Sequence, residues 1–397
     1  MPAPLKTEAS LETLPTEILC KIFTLLDAQF IVEVVSKLCT RFARVLGDDS
    51  FWQAKLAATW PNPYPVPVVE DFDWKEACIE REQQFNQWTN WEDEMRSVHI
   101  REAHIGTIHS VLLMNGSSTC VTGSRDRSLK IWSFGDQEVA AAEDRLLHSV
   151  HEAHAGWIWT LHSMGNTLIS SSFDFTLKLW DVECGLRELK SFTMDKPALA
   201  MSRSDGEMIL GCLDGKVYHY DPREPGEPSP FCSTLRNAII CMAADDRVVL
   251  AGTTGSRMYT IDRRCLRVRR DLHMSFKDYP TALSFDSRQL WMGTRNGSVH
   301  VIDMTTSPCK ILQTADLSSL KAQRGTVTGI RHTLGSVLVS FERAPMVVLE
   351  PTLNPAVIFK GPEQQRVTRF DFEGGTLAVA LSEDLEIWRP KCEAEAV

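Results

Sequence analysis

The sequence predicts an α+β multidomain protein in which a small all-α module and a helical linker precede a long all-β body. Three observations carry this expectation. Leu14, Ile18, Ile22 and Leu26 recur at helical spacing near the start of the chain. Pro61, Pro63, Pro65 and Pro67 then alternate, which fixes φ repeatedly and excludes helix. From Val98 onward, copies of one strand-turn-strand unit recur at intervals of 39 to 48 residues.

Composition narrows the class of function. The chain has 397 residues, 43% of them hydrophobic, enough for a large core. A formal net charge of −10 argues against a general nucleic-acid or anionic-membrane binder, since both need a basic surface. The 11 cysteines are scattered without a CxxC pair, and the N-terminus lacks the basic-then-apolar run of a secretion signal. A reducing compartment, cytoplasmic and/or nuclear, is therefore expected. No apolar run reaches the roughly 18 residues of a membrane span.

The first element is a helix begun at Leu14-Pro15-Thr16-Glu17, where a missing N–H and a negative charge suit a first turn. A second apolar pattern, Ile31, Val34, Val35, Leu38, Cys39, Phe42, Val45, Leu46, Phe51, Trp52 and Leu56, predicts two further short helices. So many large apolar residues in a small module exceed what it can bury alone, so part of this surface is expected to meet another protein. The module spans 11–57 after a flexible tail over 1–10. A connector over 58–95 follows, with a helix at Trp74–Trp88 that carries Trp74, Cys78, Ile79, Phe85 and Trp88 near one face and props the module against the body.

The body, 96–389, is punctuated by near-copies. Thr122-Gly123-Ser124-Arg125-Asp126 leading to Trp132 is echoed by Ser170-Ser171-Ser172-Phe173-Asp174 leading to Trp180. Weaker copies end at Tyr220, Ile261, Ile302, Leu349 and Trp388, after steps of 40, 41, 41, 47 and 39 residues. This is the period of WD-type repeats, and seven copies predict a seven-bladed β-propeller. The last copy has three strands of its own, so Ser97–Ile100 is expected to complete its blade and close the ring. A tail over 390–397 ends the chain.

No catalytic constellation is legible: GxSxG, HExxH and phosphate-cradling glycine loops are all absent from the sequence. His148, His151 and His154 are spaced by three, but no ligating Cys or carboxylate joins them, and neither metal nor cofactor is expected. His104/Asp126/Trp132 and His154/Asp174/Trp180 invite a catalytic His–Asp reading. Their recurrence at repeat spacing favours structural sets that lock each blade. Binding is better supported than catalysis. Strand entries and turns that converge on one propeller face would bring together His109, Arg125, Trp157, Trp159, Phe173 and Arg295, with Ile105, Arg324 and Arg366 nearby.

The motif Leu14-Pro15-x-Glu17-Ile18-Leu19-x-x-Ile22-Phe23-x-x-Leu26-Asp27, followed by Val35-Ser36-Lys37-Leu38-Cys39-Thr40-Arg41-Phe42 and Phe51-Trp52, resembles an F-box. With its repeats, the whole chain resembles the F-box/WD-repeat family, substrate receptors of Skp1–cullin–F-box ubiquitin ligases. The resemblance implies docking on Skp1, and through it on a cullin ligase, by Leu14, Pro15, Ile18, Leu19, Ile22, Phe23, Val35, Leu38, Phe42 and Trp52. It also implies that the propeller holds a protein substrate and that the chain itself is not an enzyme; a scaffold that binds Skp1 without an active cullin complex is the alternative. Relatives that read phosphorylated segments carry arginines on the propeller face. Arg125 matches one such position, but His109, Trp159, Thr328 and Thr368 stand at the inner-strand positions, which disfavours a phosphate clamp. The short stretch before the F-box leads us to expect a monomer.

Overall fold

The computed structural model describes residues 11–66, 72–134, 145–224, 226–231, 235–273, 278–306, 309–315, 317, 325–362 and 366–391. The N-terminal tail, most of the C-terminal tail, Pro67 and Arg324 lie outside the described residues.

The helical elements are α1 (Thr16–Thr24), α2 (Ala28–Phe30), α3 (Ser36–Leu38), α4 (Thr40–Leu46), α5 (Asp49–Thr59), α6 (Trp74–Thr89) and α7 (Trp91–Glu94), with a π-helical turn at Ile31–Val35. The two helices expected after Asp27 are thus a continuous helical stretch to Leu38 followed by α4 and α5, because two capping sites interrupt the run. Cys39 is extended and its Sγ accepts from Phe42 N at 3.5 Å, while Asp48 Oδ1 accepts from Ser50 N at 2.9 Å. Phe23 packs edge-on to Phe42 and Phe51 with centroids 5.1 and 6.5 Å apart. Leu19, Ile31, Val35, Leu46, Trp52 and Leu56 complete this core.

α6 holds the module against the body. On one side Lys55, 2% exposed, sets its Nζ 2.7 Å from Glu82 Oε1 and donates to Leu26 O at 2.6 Å; Glu82 Oε2 accepts from Ala28 N at 2.6 Å. On the other, Gln84 Oε1 accepts from Thr333 Oγ1 at 3.0 Å and from Ser336 Oγ, and Gln87 Nε2 donates to Gly375 O at 2.8 Å. Trp88 lies 5.7 Å from Phe359 and 5.8 Å from Phe372 between ring centroids. The single apolar face expected for this helix is corrected accordingly. Its buried residues are Ala77, Cys78, Arg81, Gln84 and Trp88, because it packs on two neighbours, and Trp74, Ile79 and Phe85 are half-buried. The connector is also tied down: Tyr64 Oη donates to Leu334 O at 2.8 Å, and the Arg81 guanidinium lies 4.7 Å from the Trp60 ring and 5.3 Å from that of Tyr64.

Seven four-stranded antiparallel sheets form the body. In chain order the blades occupy 108–150, 158–193, 198–230, 239–273, 280–314, 327–360 and 369–390, which we number one to seven. Blade seven takes its fourth strand from Met95–Ile100, which pairs antiparallel with Asp384–Pro390, Ser97 opposite Trp388 and Val98 opposite Ile387. The ring is therefore closed by its first and last strands, which share one blade. Neighbouring blades approach closely enough that a Cβ on Gly123 would stand 2.6 Å from Ile158, so the Gly of this repeat position is a packing requirement.

Blades one to six share a second feature. Each inner strand slips register by one residue just after its start, and the residue set aside is His109, Trp159, Leu199, Ile240, Thr281 or Thr328. Such bulges re-aim a side chain. Here they present one residue per blade to the mouth of the channel, with Thr368 at the corresponding place in blade seven.

Candidate interaction surfaces

The His–Asp pairs are part of the scaffold. His104 Nδ1 lies 3.0 Å from Asp126 Oδ2, its Nε2 lies 2.7 Å from Thr122 Oγ1, and Trp132 Nε1 donates to the same hydroxyl at 2.9 Å. His154, Asp174, Ser170 and Trp180 repeat the arrangement at 3.2, 2.7 and 2.8 Å. Burial lowers the pKa of both histidines, that of His154 to about 4, so the imidazoles stay neutral. Burial acts to raise both aspartates, but hydrogen bonds from His104 and Ser128, and from Thr176, hold them below the ordinary carboxylate range. Both carboxylates are fully committed to hydrogen bonds, which leaves no free base for catalysis. Among the described residues, no group of three or more His, Cys, Asp or Glu is placed to hold a metal.

One face of the helical module is left over after its core is filled. Leu19, Phe23, Val35, Phe42 and Trp52, expected at a docking face, are instead 0 to 4% exposed and form that core. They lie on the inward stripe and back the exposed face from within. Of the remaining expected residues, Ile18 is 43% and Leu38 65% exposed, Pro15 is exposed, and Leu14 and Ile22 are half-buried. Leu25, Phe30 and Val34 also project into solvent, Leu25 at 86%. Exposed apolar groups concentrated on so small a module mark a contact surface. Sequence reasoning missed Leu25 because it falls beside the Ile18–Ile22–Leu26 stripe.

The second surface lies at the channel mouth over blades one and two. Trp157 and Trp159 enter on the inner strand of blade two, and Phe173 comes from the turn after its second strand. Phe173 meets both indoles edge-on, at 5.7 and 5.1 Å between centroids. His109 from blade one lies 5.0 Å from Trp159, and the Arg125 guanidinium sits 4.1 Å over Trp157. Trp157 remains 39% exposed beneath that cation. Burial, with help from Arg369 and Arg125, pushes the His109 pKa down to about 4, so this wall of the site is neutral.

Five of the six expected substrate-binding residues therefore form one cluster. Arg295 does not join it. It occupies the repeat position of Arg125 but in blade five, where its guanidinium lies over Tyr279 at 5.5 Å. Arg366 is exposed, as is Ile105 at 90%.

The remaining mouth positions differ in kind. Thr281, Thr328 and Thr368 each donate to a carbonyl of the next blade, Val327 O at 2.7 Å, Val367 O at 3.0 Å and Ile108 O at 3.0 Å. Those hydroxyls are used to lock blades five, six, seven and one together. Among the described residues, His109, Trp159, Leu199 and Ile240 make no such bridge, so the mouth divides into a hydroxyl half and an aromatic and apolar half.

Comparison with known proteins agrees with both parts of the chain. An F-box-like family model matches residues 11–56, and the WD domain, G-beta repeat model matches 95–133 and 145–181. F-box/WD repeat-containing protein 9 of Bos taurus is 28% identical over 383 residues, covering 95% of this chain and 82% of that protein. Its Homo sapiens counterpart is 28% identical over 96% of this chain and 83% of that protein. F-box/WD repeat-containing protein mec-15 of Caenorhabditis elegans is 25% identical over 78% of this chain and 79% of its own length. Among solved structures, the WD40 repeats of RRP9 superpose with a TM-score of 0.62 at 13% identity, covering 75% of this chain and 98% of that one, which establishes the propeller fold alone.

Proposed function

We propose that this chain, an F-box-like module joined to a WD-repeat propeller, is the substrate-recognition subunit of an SCF-type ubiquitin ligase. The module docks on Skp1, and through it on a cullin, while the propeller holds the protein to be ubiquitinated. One observation carries this reading. Two separate exposed surfaces, the Pro15/Ile18/Leu25/Leu38 face and the Arg125/Trp157 cluster, are joined through a helix buried against both halves.

Such a body needs no catalytic residue. It works by proximity: a substrate lysine held on the propeller gains effective concentration near a charged conjugating enzyme held by the rest of the ligase. A fixed α6 supports this role, because a wandering linker would lower that concentration. The receptor acts as a monomer in the cytoplasm or nucleus.

Affinity purification of the full chain from cells tests the reading. Skp1 and a cullin should both co-purify and both be lost from an Ile18→Asp/Leu25→Asp variant that still folds. Skp1 without cullin identifies a scaffold and overturns the ligase role, and recovery of neither overturns the reading altogether.

A further inference from the structure

The propeller channel holds a cation that no described carboxylate neutralises. Arg369, first residue of the inner strand of blade seven, is only partly accessible. Its Nη1 donates to Thr328 O in blade six, and among the described residues no carboxylate pairs with it. Burial lowers its pKa, yet an arginine remains charged in this setting.

Other largely buried cations of this protein meet either a carboxylate or aromatic rings. Lys55 lies 2.7 Å from Glu82 and Arg263 lies 2.8 Å from Glu207, while Arg81 is sandwiched between the rings of Trp60 and Tyr64 and Arg145 lies over Phe134. A desolvated charge without a partner is costly to fold around, so its presence in an open channel points to an anion supplied from outside.

The rim has the same polarity. Arg125 caps Trp157, while the nearby carboxylates of Asp126 and Asp174 are consumed by the blade ties. Arg125 is thus the cation most exposed to a ligand at this rim, since both aspartates turn their oxygens to the blade ties.

We infer that the channel mouth captures an unphosphorylated acidic side chain of the partner protein, its carboxylate reaching Arg369 while an adjoining apolar residue packs on the Trp157–Phe173 platform. The inference rests on the reading of the propeller as the partner-binding half. A carboxylate matches a single guanidinium fork, neutralising one charge with one charge. A phosphate dianion would need a second cation inside the channel, and the seven mouth positions supply His, Trp, Leu, Ile and three Thr, with no arginine. Arg125 is engaged with the face of Trp157.

Selection of a phage-displayed library of random linear peptides on the full-length protein tests this. Selected peptides should share an Asp or Glu beside an aromatic or aliphatic residue. Replacing that acid by its amide should weaken binding at least thirtyfold, the ordinary loss when one partner of a buried charge pair is removed. Arg369→Met should weaken binding equally while leaving the thermal midpoint nearly unchanged, because only the hydrogen bond to Thr328 O is lost and no carboxylate among the described residues pairs with the charge. Arg369→Lys, which loses the fork, should recover only part of the affinity, and Arg125→Ala should cost about fivefold. Neutral or basic consensus peptides, no selected peptide, or Arg369→Met binding as tightly as the parent overturns the inference. So does a tenfold gain when phosphoserine replaces the selected acid.

The two readings fail separately. Acidic peptides bound by a chain that captures neither Skp1 nor cullin would sink the ligase role and keep the channel site. Intact capture of both, with no acidic selectivity, would do the reverse.

Discussion

Lys55→Met should selectively loosen the junction between the helical module and α6. The substitution preserves most of the aliphatic stem but removes an ammonium held 2.7 Å from Glu82 Oε1, with the pair 2% and 13% exposed. Glu82 is left with a largely buried, unpaired charge, which costs about 3–5 kcal/mol. The carbonyls of Leu26 and Thr24, at 2.6 and 3.3 Å from Nζ, lose their donor as well. Backbone hydrogen exchange in α5 is the direct assay, since its amides report opening of this junction without requiring the whole chain to unfold as one unit. A loss of about 3 kcal/mol appears as a more than hundredfold fall in protection. Lys55→Met/Glu82→Gln should regain about 2 kcal/mol, because glutamine keeps an acceptor for Ala28 N and carries no charge. Protection that falls less than fivefold in the single variant, or a double variant no better than the single, would refute the reasoning.

Three further outcomes follow from the structure. Thr122→Val should destabilise blade one by about 3 kcal/mol by stranding His104 Nε2 and Trp132 Nε1, while Thr122→Ser stays within about 1 kcal/mol; urea denaturation followed by tryptophan fluorescence compares them. Ile18→Asp should abolish capture of Skp1 with little loss of stability, whereas Leu19→Ala, a core truncation, should cost about 2–5 kcal/mol; calorimetry and a pull-down separate the two. Acid should weaken the propeller before its carboxylates titrate. Burial holds His154 and His300 at about 4, against about 6.5 in the unfolded chain, so protons favour the unfolded state between those values. Their contribution is complete above pH 6.5 and is lost as pH falls toward 4; at pH 5 each histidine costs about 2 kcal/mol, measurable as a falling thermal midpoint.

What the sequence disclosed, and what it concealed, follows from where the interactions lie along the chain. Blade ties were readable because His104, Asp126 and Trp132 recur at the repeat spacing as His154, Asp174 and Trp180. Ring closure was readable from a missing strand at one end and a spare one at the other. The outward face of the helical module was only half readable. Leu19 and Ile18 are adjacent and equally apolar, and only the packed structure shows that Leu19 points into the core. Buried Arg81 and Gln84 violate the amphipathic pattern because their partners are rings and hydroxyls from distant segments, as with Gln84 and Ser336, 252 positions apart. Arg369 stayed hidden for a related reason. Its place in the channel depends on the twist and register of a blade whose repeat signal is weak.

Closing the ring with its first strand also sets a timetable for synthesis. His99 meets Asp384 across 285 positions of chain. At about 5–20 residues per second, the strand at Met95–Ile100 waits roughly 15 to 60 s for its partner. The helical module is already outside the ribosome during that interval and can fill its own core from residues close in sequence. The waiting strand, whose apolar ends Met95 and Ile100 are buried only in the finished ring, presents unpaired backbone groups throughout, a template for any other extended chain nearby. A nascent-chain chaperone covering residues just after α7 would guard the one segment that is both early and unfinished. The chain would thus acquire its helical half well before its propeller.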